Sequence, residues 1–120
     1  MSQYLLLLYD NPANWKNFSP ADMQKAIEKY MAWRAKLQNQ GILRGGQKLA
    51  DDVGKVLRSG NPAVRVTDGP YSETKEVLGG YFLLEAPDYP TAVKASRDCP
   101  HLEYGGTIEV RQVDDSVPNG

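Results

Sequence analysis

Residues 66–86, VTDGPYSETKEVLGGYFLLEA, combine a turn, a cluster of charged side chains, a double glycine and an apolar run. The run GGYFLLEA predicts a strand, because it is short and apolar and follows a pair of glycines. Asp-Gly-Pro at 68–70 is typical of a turn, since Gly accepts positive φ and Pro stiffens the exit. Whether the charges at 73–76 form a solvated loop or one wall of a site depends on the rest of the chain.

Two elements upstream are marked by apolar periodicity and capping residues. Residues 3–10, QYLLLLYD, predict a strand covered on both faces, because its centre is apolar at every position. Ser19 and Pro20 predict a helix start, and Gly41 predicts its end. Between them the apolar side chains recur at helical spacing, at Met23, Ile27, Tyr30, Met31 and Leu37, with Ala26 and Trp33 widening the stripe.

The remaining elements complete a recognisable order. ILRGGQKLA at 42–50 and NPAVRVTDG at 61–69 are strand candidates, and residues 51–60 between them favour a short hairpin arm. Asp88 and Pro90 begin a short helix, and GTIEVRQV at 106–113 alternates as a final strand. The order predicts an α+β, ferredoxin-like split βαβ fold, in which two helices cover one face of a four-stranded antiparallel sheet. We expect one domain over 1–120, with 114–120 as a loose C-terminal tail.

The apolar first strand also predicts a partner. Two helices cover only one face of the sheet, so the other face needs a second layer. A second subunit laid against that face is the simplest cover, and the chain is expected to form a homodimer with the sheets facing.

Composition argues against several classes of partner. The chain has 14 Lys and Arg against 15 Asp and Glu, and the basic residues are scattered, which disfavours nucleic acid and anionic membrane. The apolar run at 4–9 is far shorter than the roughly 20 residues of a membrane span, and no export signal accompanies it, so we expect a cytoplasmic protein. Cys99 is the single cysteine, which excludes an intrachain disulfide and favours a structural, half-buried thiol.

Residues 66–86, taken with CPHLEYGGTIEVRQV at 99–113, resemble the YCII-related family, in the branch named the DGPF domain. The signature tetrad stands here as Asp-Gly-Pro-Tyr at 68–71, with Tyr in place of Phe. The family pattern continues with ETKE at 73–76, the double Gly at 79–80 and EVR at 109–111, in order and spacing over nearly the whole chain.

The resemblance implies a dimeric α+β barrel of ferredoxin-like subunits, found in bacterial proteins whose activity is largely unassigned. It implies a possible enzyme, because a His and an Asp share a pocket in the wider family and related barrels include isomerases and small cofactor-free monooxygenases. It also implies a non-enzymatic alternative, since DGPF proteins resemble gene products that travel with extracytoplasmic-function sigma factors.

His101 is the only histidine and the first candidate for an acid or base, because histidine exchanges protons near neutral pH. The structural alternative is a His that bonds a carbonyl at a helix end. Asp68 either orients a His or binds a ligand hydroxyl, or it simply serves the turn. A metal site is not predicted, because one His without recognisable ligand spacing is too few.

Strand alternation predicts which side chains turn away from the helices. If Phe82 and Val110 point to the helices, the opposite face carries Tyr81, Leu83, Glu85, Glu109 and Arg111. Arg65 falls on the same side if Val64 and Val66 pack inward. Charges among Tyr and Leu indicate a cavity, or else Arg65 and Arg111 neutralise Glu85 and Glu109.

The leading hypothesis is a small-molecule pocket with cofactor-free proton transfer, isomerase-like or monooxygenase-like if the protein is an enzyme. His101 would be the acid or base with Asp68 orienting it, and an anionic or carbonyl ligand would be bound by Arg65, Arg111, Tyr81, Glu85 and Lys75. Glu73, Glu76 and Glu109 are expected at the rim or the dimer contact. No phosphate loop, dinucleotide fingerprint or nucleophile elbow is present in the sequence, so no cofactor is predicted. The alternative is an accessory or interaction protein, possibly linked to sigma-factor regulation.

Overall fold

The computed structural model describes residues 1–52, 54–69 and 76–117. Its strands are β1 (Ser2–Asp10), β2 (Leu43–Lys48), β3 (Lys55–Arg58), β4 (Arg65–Asp68), β5 (Val77–Ala86) and β6 (Thr107–Gln112). Its helices are α1 (Pro20–Asn39), α2 (Tyr89–Arg97) and the short α3 (Pro100–Glu103), and a 3-10 turn spans Pro12–Trp15. None of the helices in the described ranges is both long and apolar enough to cross a membrane.

Four strands form one antiparallel sheet in the order β2-β5-β1-β6. β1 is central, and its Leu6 lies opposite Phe82 of β5 and Val110 of β6. This order confirms the predicted ferredoxin-like α+β fold. After β6, residues 113–117 form neither helix nor strand.

The two faces of the sheet differ in burial. On the helix face Tyr4, Leu6 and Leu8 of β1 are buried, and the main core also contains Trp33, Leu37, Phe82, Leu84 and Cys99. On the opposite face, called the outer face below, the intervening residues of β1 and β5 are only half-buried within one chain. The alternation predicted for Tyr81, Leu83 and Glu85 is therefore confirmed.

Helix α1 begins and ends where the sequence predicts. Ser19 Oγ accepts from Asp22 N at 3.1 Å, and Ser19 N donates to Asp22 Oδ2 at 3.0 Å, which makes a reciprocal capping box. The predicted apolar stripe is only partly buried: Ala26, Trp33 and Leu37 face the sheet, whereas Met23, Ile27 and Met31 are exposed. The sequence offers two adjacent apolar ridges, and packing against the sheet buries one of them.

β3 and β4 pair only with each other and form a separate two-stranded hairpin, called the arm below. The expectation that Val64 and Val66 pack inward is wrong, because their exposed fractions are 59% and 60%. Arg65 therefore lies on the arm and not on the outer face of the sheet. Sequence periodicity could not show this, because a hairpin strand and a sheet strand alternate with the same period.

Candidate functional site

His101 lies in α3 and is only 5% exposed. Its Nδ1 is 3.0 Å from the Tyr30 hydroxyl oxygen, on α1. Its Nε2 is 2.6 Å from the main-chain carbonyl oxygen of Tyr9, at the end of β1. Both ring nitrogens therefore have partners, and three separate elements fix the orientation of the ring.

These contacts determine the tautomer of the neutral ring. A carbonyl oxygen can only accept, so Nε2 must carry the hydrogen that bonds Tyr9. Nδ1 of neutral His101 then presents a lone pair and accepts the Tyr30 hydroxyl hydrogen. If His101 gains a proton, Nδ1 becomes a donor to Tyr30, and the Tyr30 hydroxyl hydrogen is released to another acceptor.

Gly106 provides the space for the imidazole. A Cβ at this position would lie 2.2 Å from His101 Nε2 and 2.3 Å from Cδ2, closer than real Cβ contacts. Gly106 N also donates to the His101 carbonyl at 2.9 Å. The residue before β6 must therefore be glycine if the ring is to keep its place.

Asp10 ends β1, immediately after the residue whose carbonyl contacts His101. Its Oδ2 accepts a hydrogen bond from Trp15 Nε1, which orients the carboxylate. Its Oδ1 is buried and has no hydrogen-bond partner among the described residues. A buried carboxylate oxygen in this position is an acceptor that a ligand or a water molecule can use.

The surroundings of Tyr30 change the pKa of its hydroxyl. Burial, followed by nearby negative charge that includes Asp10, raises the pKa of Tyr30 well above its ordinary value. The Tyr30 hydroxyl therefore remains protonated at neutral pH and acts as a hydrogen-bond donor. Asp10, Tyr30 and His101, with the Tyr9 carbonyl and Trp15, are called the histidine site below.

Aromatic rings line one side of the histidine site. The Trp15 ring lies 4.9 Å from Phe18 and 5.4 Å from Tyr104, measured between centroids. The Lys29 ammonium lies 5.6 Å from the Tyr104 ring centroid and 2.5 Å from a Glu103 carboxylate oxygen. Asp10 therefore lies beside a cluster of aromatic rings that are inclined to one another by 40–72°, with charge at its edge.

Asp68 does not orient His101 within one chain. It lies at the end of the arm, where its carboxylate pairs with Lys55, and 72% of its side chain is exposed. Both nitrogens of His101 are bonded to Tyr30 and Tyr9 instead. Gly69 does take the positive φ expected of the turn, 70°.

Of the other predicted ligand residues, Tyr81, Glu85 and Arg111 lie on the outer face, with the sheet between them and His101. Glu85 pairs with Arg44 at 2.9 Å, which lowers the pKa of the Glu85 carboxyl. Arg111 pairs with Glu109 at 3.3 Å, as one of the two sequence interpretations expected. The expected pairing of Arg65 with a sheet acid is not met, because Arg44 occupies that place beside Glu85 and Arg65 is on the arm.

The charge cluster of residues 73–76 is described only at its end. Glu73 and Lys75 lie outside the described residues. Glu76 Oε1 accepts a hydrogen bond from Thr107 Oγ1 at 2.9 Å. Since Val77 pairs with Asp10, Glu76 lies at the same end of the sheet as the histidine site.

Two cavities lie elsewhere in the described part of the molecule. One is within the loop of the arm at residues 59–65, and the other lies between α1 and α2 above Trp33 and Leu37. Neither is lined by Asp68 or His101. No group of three His, Cys, Asp or Glu that could hold a metal ion occurs within 1–52, 54–69 and 76–117.

Comparison with known proteins bears on the family and the fold. A family model described as the YCII-related domain matches residues 2–116. The chain belongs to this family. The match confirms the family that residues 66–86 and 99–113 predict. It gives no support to a link with sigma factors.

Among solved structures, this YCII-related protein is similar to 5-chloro-2-hydroxyhydroquinone dehydrochlorinase (TftG) from Burkholderia phenoliruptrix AC1100, solved with 2,5-dihydroxybenzoquinone. The identity is 16%, the match covers 93% of each chain, and the TM-score is 0.47. A match this distant gives no basis for transferring an activity. No curated protein matches the sequence.

Sequence reasoning identified His101 but missed Asp10 and Tyr30. Tyr30 belongs to the apolar stripe of α1, so its sequence position predicts only packing. In the structure its ring packs against the core and its hydroxyl reaches His101 Nδ1. Asp10 was read as the polar end of an apolar strand. The available signal was an acid one residue beyond an otherwise buried strand, next to a Trp that could bond it.

Proposed function

We propose that this YCII-related protein binds a small hydroxyl- or carbonyl-bearing molecule at the histidine site and transfers a proton to or from it without a cofactor. The observation that carries the proposal is the buried Asp10 Oδ1, which has no hydrogen-bond partner among the described residues. A buried polar atom without a hydrogen-bond partner costs about 1–3 kcal/mol, and a charged group costs more. Binding of a polar partner at Asp10 Oδ1 is therefore favoured.

The contacts of His101 define a route for the proton. Tyr30 receives a proton from the bound molecule at its hydroxyl oxygen and passes its own proton to His101 Nδ1. The products are the deprotonated molecule, a neutral Tyr30 and an imidazolium, so atoms and charge balance. The reverse sequence returns the proton at another position of the molecule and completes an isomerisation.

Other groups of the histidine site hold the ring of His101 and support binding. The Tyr9 carbonyl accepts from Nε2 in either protonation state and holds the ring in place. The Asp10 carboxylate offers its buried Oδ1 to a ligand hydroxyl. The rings of Trp15 and Tyr104 favour a ligand with a flat apolar part.

We also propose that the protein is a homodimer in which the outer faces of two sheets meet. Leu5, Leu7 and Leu83 lie on this face and are half-buried in one chain. The ion pairs Arg44–Glu85 and Arg111–Glu109 satisfy the charges on the same face, which allows them to approach a second copy.

The test of the histidine site is exchange of an acidic carbon-bound hydrogen in deuterated water, followed by proton NMR. A panel of β-dicarbonyl compounds and phenols serves as the probe. We expect at least one panel member to exchange faster with the parent protein and to shift the amide resonances of Asp10 and Gly106. Tyr30→Phe should reduce the catalysed rate by about 100-fold or more, because it removes the relay hydroxyl but keeps the ring.

Asp68→Asn is the matched control, since Asp68 is exposed on the arm and pairs with Lys55. It should leave the exchange rate unchanged. Panel compounds that shift only outer-face residues such as Tyr81 and Glu85, or an exchange rate that Asp68→Asn lowers as much as Tyr30→Phe, would contradict the proposal.

A further inference from the structure

The arm exposes an apolar face. Leu57 lies opposite Val66 in the hairpin, so both side chains are on one face, and Val64 follows at the alternate position. Their exposed fractions are 65%, 60% and 59%. The same face carries the Lys55–Asp68 ion pair toward the base of the hairpin. The opposite face carries Val56 beside Thr67, whose Oγ1 accepts from Arg58 Nη1 at 3.2 Å.

A hairpin of this kind is marginally stable by itself. Two strands of four residues bury too little apolar surface in water, and a third layer is needed to hold them. The two strands are joined by a hydrogen bond at the base of the arm. Gly54 and Gly69 both have positive φ at its base, and Gly69 N donates to the Gly54 carbonyl at 3.0 Å.

The arm makes no strand pairing with the four-stranded sheet of its own chain. Of the strands described, β3 and β4 pair only with each other. The chain is also extended, because its radius of gyration is 16.5 Å, whereas a compact chain of this length has about 13.6 Å. Among the described residues, the apolar face of the arm is therefore left uncovered.

The flat area of the outer face is smaller than a standard dimer interface. Its four strands, of 6, 10, 9 and 6 residues, lie about 4.8 Å apart and rise about 3.3 Å per residue, so they cover roughly 500 Å². A standard interface buries about 800 Å² on each partner. An additional contact surface is needed, and the arm is the part of the described chain that projects with uncovered apolar side chains on one face.

We propose that the arm of each subunit clasps a second copy of this chain, placing Leu57, Val64 and Val66 against the partner. The inference rests on the homodimer proposed above and adds which surface completes it. The arm then supplies the area that the sheet lacks, and the partner supplies the layer that the hairpin lacks.

The test is sedimentation equilibrium over a concentration series for the parent and two variants. Leu57→Asp combined with Val66→Asp places two charges on the apolar face of the arm. Burying two apolar side chains of this size in the interface lowers the dissociation constant of the dimer by at least about 100-fold. The double variant should therefore have a dissociation constant at least about 100-fold higher than that of the parent. The control is Met31→Asp on α1, whose exposed fraction of 65% equals that of Leu57.

Each outcome decides the question. A weakened double variant with an unchanged control supports the clasp, provided that circular dichroism shows both variants folded. A double variant that dimerises like the parent overturns the clasp but leaves the sheet-to-sheet homodimer standing. A monomeric parent overturns both, and equal weakening by Met31→Asp would place the interface on α1. In mixed dimers of differently isotope-labelled chains, nuclear Overhauser effects from the Leu57 methyls to the other chain provide the direct measurement.

Discussion

Gly106→Ala tests how tightly His101 is seated. The added Cβ would lie 2.2 to 2.6 Å from three atoms of the imidazole. Ordinary carbon contacts are about 3.5–4.0 Å, so the ring must move by more than about 1 Å. A movement of that size breaks the 2.6 Å bond to the Tyr9 carbonyl and the 3.0 Å bond to the Tyr30 hydroxyl.

The expected loss of stability is the sum of two effects. Overpacking a well-filled site costs about 1–3 kcal/mol. Each broken hydrogen bond adds about 0.5–1.5 kcal/mol. We therefore expect Gly106→Ala to lower the free energy of unfolding by about 2–6 kcal/mol. With a urea slope near 2 kcal/mol/M, the unfolding midpoint falls by about 1–3 M.

The control is Gly79→Ala, where the added Cβ would meet only the Leu8 carbonyl at 3.9 Å. That change should be neutral or slightly stabilising, because Ala restricts the unfolded chain. A double-mutant cycle with His101→Ala then isolates the steric contact. In the background without the ring, Gly106→Ala should cost less than about 1 kcal/mol. An undiminished cost in that background, or a Gly106→Ala midpoint equal to that of Gly79→Ala, refutes the reasoning.

Three further predictions concern helix caps and the thiol. Ser19→Ala removes a side-chain cap of α1 and should lower the free energy of unfolding by about 0.5–2 kcal/mol in urea titrations, while an unchanged midpoint would contradict the capping box. Cys99 is buried, which raises the pKa of its thiol to about 11, so a thiol reagent at pH 8 should label it only after denaturation. Hydrogen bonds from Thr91 lower the pKa of Asp88 below its ordinary value of 3.8. The cap therefore stabilises the fold fully above pH 3.8, and this stability is lost as the pH falls through the lower pKa of the folded state. Asp88→Asn should flatten stability between pH 5 and 2, and an unaltered pH profile would count against the cap.

Much of the fold was predictable because local signals agreed with each other. The Ser19 cap and Gly41 bracket α1, and strand alternation identified the buried side of β5. The short helix α3 was not predicted. Its four residues, Pro100–Glu103, are too few to show a helical period, and its His101 makes long-range contacts to Tyr30 and Tyr9.

The candidate site was less predictable, because a site depends on three-dimensional neighbours. Residue type and the family resemblance pair Asp68 with His101, whereas in the structure Asp68 lies on the arm and pairs with Lys55. Sequence periodicity assigns a residue to a face of its own element but does not say which element comes to lie beside it. Tyr30 reaches His101, and Asp10 comes close enough to affect Tyr30, only through the packing of α1 and α3 at the end of β1.

Tyr9 links the two sides of the sheet. Its main-chain carbonyl holds Nε2 of His101 at 2.6 Å on the helix side, and its hydroxyl contacts Glu109 Oε1 at 3.4 Å on the outer side. Glu109 in turn pairs with Arg111 on the face that we propose meets the second subunit. β1 therefore carries both the histidine site and the proposed dimer surface. A rearrangement of the outer face that shifts Tyr9 would act on His101 through the 2.6 Å hydrogen bond.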